Sequence, residues 1–204
     1  MSDKDKILTT YHNKNEKDII YKPRTGAEME NATYGYYPLL RYSELCELGE
    51  KKGANRMLAQ MFRRSDKNII LLQNPDDMNS GHWFSVSRNL PKKEIYFFST
   101  YGGKPDVEKI SWMNEDDLRQ SGQILNIFND GLYDAQKHGW KIYYNDYPYQ
   151  KPGDNTAVCG IYTAAFLNSG KNPDEFEEDT KAIMRSGINP AIYYYKKYFL
   201  HLIP

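Results

Sequence analysis

Between residues 69 and 99 three apolar runs follow one another with only turn-forming residues between them, and this feature most limits the fold. Ile69-Ile70-Leu71-Leu72 has the length and composition of a buried strand. Asn74-Pro75-Asp76-Asp77-Met78-Asn79-Ser80-Gly81 is turn chemistry. His82-Trp83-Phe84-Ser85-Val86-Ser87 then alternates, so His82, Phe84 and Val86 share one face of a strand. Asn89-Leu90-Pro91-Lys92-Lys93 is a polar turn, and Glu94-Ile95-Tyr96-Phe97-Phe98-Ser99 is the partner strand of a hairpin ending at Tyr101-Gly102-Gly103.

Helical patterns surround this nucleus. Ser43 can cap a short helix through Leu48, with Gly49 as its stop. Asn55 to Arg64 carries Met57, Leu58, Met61 and Phe62 at helical spacing. Asn114 before Glu115, Asp116 and Asp117 is a capped, acid-rich helix start, and the helix is expected to continue past Leu132. Trp140 to Tyr144 reads as another strand, Asn145 to Asn155 as loop. Val158-Cys159-Gly160 opens an apolar helix, and Asn172-Pro173-Asp174-Glu175 starts one more. The run Ile192 to Phe199 is expected as a terminal helix packed on the body. The fold class expected is α+β, a mixed β-sheet flanked by helices with Cys159 at the N-terminus of a buried helix. Residues 1–20 are expected as a polar N-terminal arm and 21–204 as a single domain.

Composition narrows the function. Lys and Arg number 27 and Asp and Glu 27, so the net charge of zero argues against a protein that coats nucleic acid. Two cysteines cannot build a disulfide framework, and His12, His82, His138 and His201 lack metal-ligand spacing, so neither metal nor cofactor is expected. The start carries no apolar signal segment, and the most apolar stretch, Ala191 to Pro204, is interrupted by Lys196-Lys197 and too short for a bilayer. A soluble protein of a reducing compartment, without membrane contact, is expected.

Three residues carry the chemistry. His82 opens a strand after a turn, Gln150 lies in the loop before a helix, and Cys159 stands where that loop becomes the helix. A thiol at a helix N-terminus meets unpaired N–H groups and the positive end of the dipole, which favour the thiolate. An imidazole nearby completes the pair and later protonates a leaving amine. A Gln amide and the backbone N–H of Cys159 can donate to a developing oxyanion. Taken singly, each residue has an ordinary structural reading: core filling for the Cys, a structural or surface role for the His and the Gln. The order of the three in the chain gives the pattern its content.

Gly81-His82-Trp83, the strand running to Phe98-Ser99-Thr100-Tyr101-Gly102, Tyr149-Gln150 and Cys159-Gly160 together resemble the cysteine proteases of the adenovirus-protease (adenain) and SUMO-protease clan. Ile70-Leu71-Leu72-Gln73, Tyr147-Pro148-Tyr149-Gln150 and Asn172-Pro173-Asp174-Glu175-Phe176 resemble its viral branch, found in large DNA viruses and virophages. The resemblance spans about residues 36–180. It implies His82 as general base, Cys159 as nucleophile, Gln150 as oxyanion donor, and Trp83 and Gly160 as substrate-binding residues. It departs at one place: the clan has an Asp or Glu at the end of the second strand to orient the histidine, and this chain has Ser99. Three expectations follow: Ser99 replaces the acid with a neutral hydrogen bond, Asp106 or Asp154 reaches the site from a loop, or the protein is a slow or inactive relative.

The resemblance implies a monomeric cysteine endopeptidase cleaving viral capsid or core precursor proteins during virion maturation, after small residues such as Gly. Its place would be the virion and the virus factory of the host cytoplasm. The alternatives are a protease that removes ubiquitin-like modifiers from host proteins and a catalytically impaired capsid-associated binding module. Adenovirus relatives use a peptide and DNA as activators; zero net charge gives no support for extending DNA dependence to this chain.

Overall fold

The computed structural model describes residues 16–110, 112–151, 153 and 155–201. Five strands form one sheet in sequence order: β1 (Leu39–Arg41), β2 (Lys67–Asn74), β3 (Asp77–Asn89), β4 (Glu94–Ser99) and β5 (Lys141–Tyr144). β2, β3 and β4 pair antiparallel, while β1 joins β2 and β5 joins β4 in parallel, so the sheet is mixed as expected.

Both faces of the central strands are covered, which is why their sequences read as nearly continuous apolar runs. Ile69, Leu71, Trp83, Tyr96 and Phe98 point into one core and Ile70, Leu72, Phe84, Ile95 and Phe97 into the other. The first core is closed by α1 (Glu16–Tyr21), α2 (Gly26–Ala32), α8 (Cys159–Ser169), α9 (Pro173–Arg185), α10 (Pro190–Tyr194) and a π-helical turn, Tyr195–Phe199. The second is closed by α3 (Tyr42–Lys52), α4 (Ala54–Arg64), α6 (Glu115–Gln120) and α7 (Ile127–Lys137); a one-turn helix, α5 (Val107–Ile110), precedes α6. From Cys159 through Leu167 every residue of α8 is buried, so this helix is apolar on all sides.

Local chemistry sets the helix ends. Asn172 accepts from the Glu175 N–H and Glu175 reaches back to the Asn172 N–H, a capping box with Pro173 at the first helical position. Asn114 caps α6 as expected, but that helix stops at Gln120 and α7 begins only at Ile127, so the single helix expected here is two. Gly49 does not end α3. It lies inside the helix, where Ile127 of α7 leaves room for little more than a hydrogen, and the chain turns out at Gly53. The loop expected over 74–81 is a tight turn at residues 75–76, and β3 already runs from Asp77.

Residues 1–15 lie outside the described residues. Glu16–Tyr21 is helical, with Ile19 buried in the first core and the Ile20 carbonyl accepting from the Ala157 N–H. Among the described residues no helix is long and apolar enough to cross a membrane.

Candidate active site

The cleft forms where β4 ends and α8 begins, beside His82, which lies inside β3 and not at its start as expected. His82 is aimed by its neighbour. Gly81 has φ 153°, and a Cβ there would lie 2.0 Å from the Leu72 carbonyl oxygen, so only glycine lets β3 pass this close to β2 before His82. Arg24, His82, Trp83, Tyr101, Gln150 and Cys159 line one groove of about 320 Å³. The structure thus brings together the His, Cys and Gln singled out in the sequence.

His82 is buried, and its Nε2 lies 3.0 Å from the Ser99 Oγ. Ser99 is the last residue of β4. Asn145 clamps it: the Ser99 N–H donates to Asn145 Oδ1 at 3.1 Å and Asn145 Nδ2 donates to the Ser99 carbonyl at 2.8 Å. The Tyr101 ring stacks on the imidazole, with centroids 4.3 Å apart and planes 11° from parallel. His82 Nδ1 is buried without a hydrogen-bond partner, so it is the ring nitrogen left for a reacting proton.

The acid expected as one alternative to Ser99 does not reach the ring. Asp106 accepts from the Tyr42 hydroxyl at 2.6 Å and from the Asn129 N–H at 2.8 Å, on the α3–α7 side of the molecule. Asp154 lies outside the described residues. Burial alone holds the His82 pKa down at about 3, so the ring is neutral at physiological pH.

Cys159 is the first residue of α8 and is 8% exposed. Burial raises its pKa above the ordinary thiol value, against the pull of the Trp83, Gly160 and Cys159 backbone N–H groups and of the Arg24 charge. The thiolate expected from the helix terminus is therefore outweighed by desolvation in the resting state. A neutral thiol and a neutral imidazole thus line the same groove.

Gln150 accepts from the Thr100 hydroxyl at 3.2 Å, and one amide N–H donates to the Thr156 carbonyl, leaving the second amide hydrogen for a ligand. Trp83 was expected as a groove wall and does line the groove, but it is nearly all buried. Its indole N–H donates to the Arg24 carbonyl at 2.9 Å, and its own carbonyl accepts from the Thr163 hydroxyl at 3.1 Å. Gly160 is buried beneath Arg24 and Met29, whose atoms would lie 2.9 Å from any Cβ. Sequence reasoning missed Arg24, Tyr101 and Asn145. Only Tyr101 carried a local signal, as the residue opening the turn after β4.

No family model matches the chain, and no curated protein does. Among solved structures, the SUMO protease Ulp1 with its catalytic cysteine oxidised to a sulfonic acid is similar at 17% identity and a TM-score of 0.45, covering 99% of this chain and 94% of that one. The C-terminal Ulp1 protease domain in complex with Smt3, the yeast ortholog of SUMO, is similar at 14% identity and a TM-score of 0.44, with the same coverage.

Proposed function

We propose that the protein is a cysteine endopeptidase. The observation that carries this reading is the joint placement in one cleft of a buried His82 with a free Nδ1, Cys159 at the head of α8, and Gln150. In the reaction Nδ1 takes the thiol proton while Nε2–H donates to Ser99 Oγ. The sulfur attacks the scissile carbonyl, and the Cys159 N–H and the spare Gln150 N–H receive the oxyanion. The proton on Nδ1 then goes to the leaving amine, and water, giving a proton back to Nδ1, hydrolyses the thioester. Ser99 serves here as an acceptor, which fixes the productive tautomer without adding charge.

The substrate reading follows the motif resemblance to the viral branch: capsid or core precursor proteins cut after small residues. Removal of ubiquitin-like modifiers needs the same chemistry. A peptide aldehyde ending in Gly and a ubiquitin or SUMO vinyl sulfone separate the two. Cys159 labelled by the aldehyde alone supports precursor cleavage, and labelling by both supports modifier removal. Cys159 labelled by neither, or precursor processing unchanged in Cys159→Ala, overturns the peptidase reading.

A further inference from the structure

Trp83 follows His82 and Gly160 follows Cys159, and both touch the same distant residue. The Arg24 carbonyl accepts from the Trp83 indole, and the Arg24 Cβ and Cγ lie where a Gly160 side chain would begin, 2.9 Å from a Cβ built there. The strand bearing the imidazole and the helix bearing the thiol are therefore both braced against one stem. The guanidinium is buried as well. Its Nη2 donates to the carbonyls of Asp18 at 3.1 Å, Ile19 at 3.1 Å and Lys22 at 2.6 Å, holding the end of α1 and the turn after it in place. Its carbon sits 4.9 Å from the centre of the Tyr195 ring.

A stem alone would serve for packing, and a methionine or leucine would supply it without burying a cation. Among the described residues the carboxylate paired with it is Glu28, 3.5 Å from Nη1 and itself partly exposed, and the other acceptors are neutral carbonyls, while Nε is buried without a hydrogen-bond partner. Burying a cation costs several kcal/mol unless it is compensated. The cleft has the converse deficit, because among the described residues no carboxylate stands by His82 to favour an ionised thiol–imidazole pair. The titratable and charged groups facing Arg24 are Glu28 from α2, Cys159 from α8, Lys22 from the turn after α1 and Tyr195 from the π-helical turn.

We propose that Arg24 is a positioning residue of the cleft: its stem sets the spacing between the His82 strand and the Cys159 helix, and its buried charge favours negative sulfur where no described residue supplies an acid. The proposal rests on Cys159 being the reactive thiol, and its first readout does not require peptidase activity.

The test follows the rate of Cys159 alkylation by iodoacetamide against pH, resolved from Cys46 by peptide mass spectrometry, together with kcat and KM on a cleavable peptide. Arg24→Met keeps the stem and removes the charge. It is expected to move the alkylation midpoint up by about half a pH unit, roughly threefold slower at neutral pH, and to lower kcat more than KM. Arg24→Lys should return the midpoint. Gly160→Ala, which presses on the stem and keeps the charge, should leave the midpoint in place and lower kcat by about tenfold to a hundredfold. Should Arg24→Met fail to fold, Arg24→Lys and Gly160→Ala still decide: an altered midpoint in Arg24→Lys or an unchanged kcat in Gly160→Ala overturns the proposal. A folded Arg24→Met with an unchanged midpoint overturns it too. A shifted midpoint in an enzyme that cleaves no peptide in any form would sustain Arg24's electrostatic role and overturn the peptidase reading instead.

Discussion

Two buried polar regions lie just beyond the end of β4 and are built in opposite ways. At the cleft the deepest contact joins neutral partners, the His82 ring and the Ser99 hydroxyl. A few residues further on, Asp106, Glu108 and Lys109 are all buried within four positions of chain. Lys109 Nζ donates to the carbonyls of Gln123, Ile124 and Leu125 at 3.2, 3.1 and 2.6 Å, in the break between α6 and α7. Its neighbours on α5, Val107 and Ile110, are 46% and 68% exposed, so this short helix turns its charges inward and its apolar side chains outward. The difference teaches where charge can be afforded. The α5 segment keeps its cation and Asp106 because backbone groups and Tyr42 satisfy them. The cleft keeps a neutral pair, the His82 ring against the Ser99 hydroxyl, where no charge has to be satisfied.

The largest effect should come from breaking the charged region. Lys109→Met strands the three carbonyls and leaves Asp106 buried without its nearby cation. Urea unfolding should show a loss of about 3–5 kcal/mol. Ser99→Ala removes the neutral bond and should cost about 1–3 kcal/mol in the same measurement. Equal losses would erase the distinction between the regions.

Gln150→Ala tests the cleft as chemistry rather than support. Peptide hydrolysis should fall about a hundred- to thousandfold, while alkylation of Cys159 by iodoacetamide, which forms no oxyanion, should stay near the parent rate. Loss of both would make Gln150 a brace for the loop between Thr100 and Thr156, which its hydrogen bonds also allow.

The regions should also answer pH with opposite signs. His82 titrates at about 3 in the fold against 6.5 for an ordinary imidazole, so the unfolded chain binds the extra proton in that window. Stability from this group is full above pH 6.5 and is lost as pH falls towards 3. Burial raises Glu108 from 4.5 to about 8, with Asp106 adding to the rise, so the folded chain holds the extra proton and stability is lost as pH rises from 4.5 to 8. Each slope is about 1.4 kcal/mol per pH unit. Melting against pH should show Glu108→Gln relieving the alkaline decline and His82→Gln the acid one. A variant that changes neither limb would rule out the corresponding burial effect.

The sheet was readable in the sequence because both of its faces are apolar and its turns carry Pro, Gly and Asp. The residues that meet in the cleft were readable because each carries a local signal: His82 follows Gly81, and Cys159 opens α8. What escaped depends on distance along the chain. Nothing local marks Arg24 as the residue that braces Trp83 and Gly160, or Asn145 as the clamp on Ser99. The inward charges of α5 ran against the ordinary preference of Glu and Lys for solvent, and the three carbonyls that reverse it come from another loop. Gly49 looked like a helix stop because its packing role against Ile127 is tertiary.

The smallest and most delicate change would give the cleft the charge it lacks. Ser99→Asp places a carboxylate against His82 Nε2, where the clan resemblance leads one to expect an acid. A carboxylate only accepts, so it holds the proton on Nε2 and stabilises the imidazolium that forms when Nδ1 takes the thiol proton. The His82 pKa should rise from about 3, and the ionised pair should gain population relative to the neutral pair. Against this stands the cost of burying a carboxylate where Ser99 is wholly enclosed, with the Tyr101 N–H at 3.4 Å as its nearest further donor. The gain and the cost are of similar size, so the expected outcome is a change in kcat/KM of about tenfold or less, with the acid limb of the pH–rate profile displaced to higher pH. An acid limb that stays in place would mean that the imidazolium never forms beside residue 99, and that Ser99 holds the ring by shape and hydrogen bonding alone.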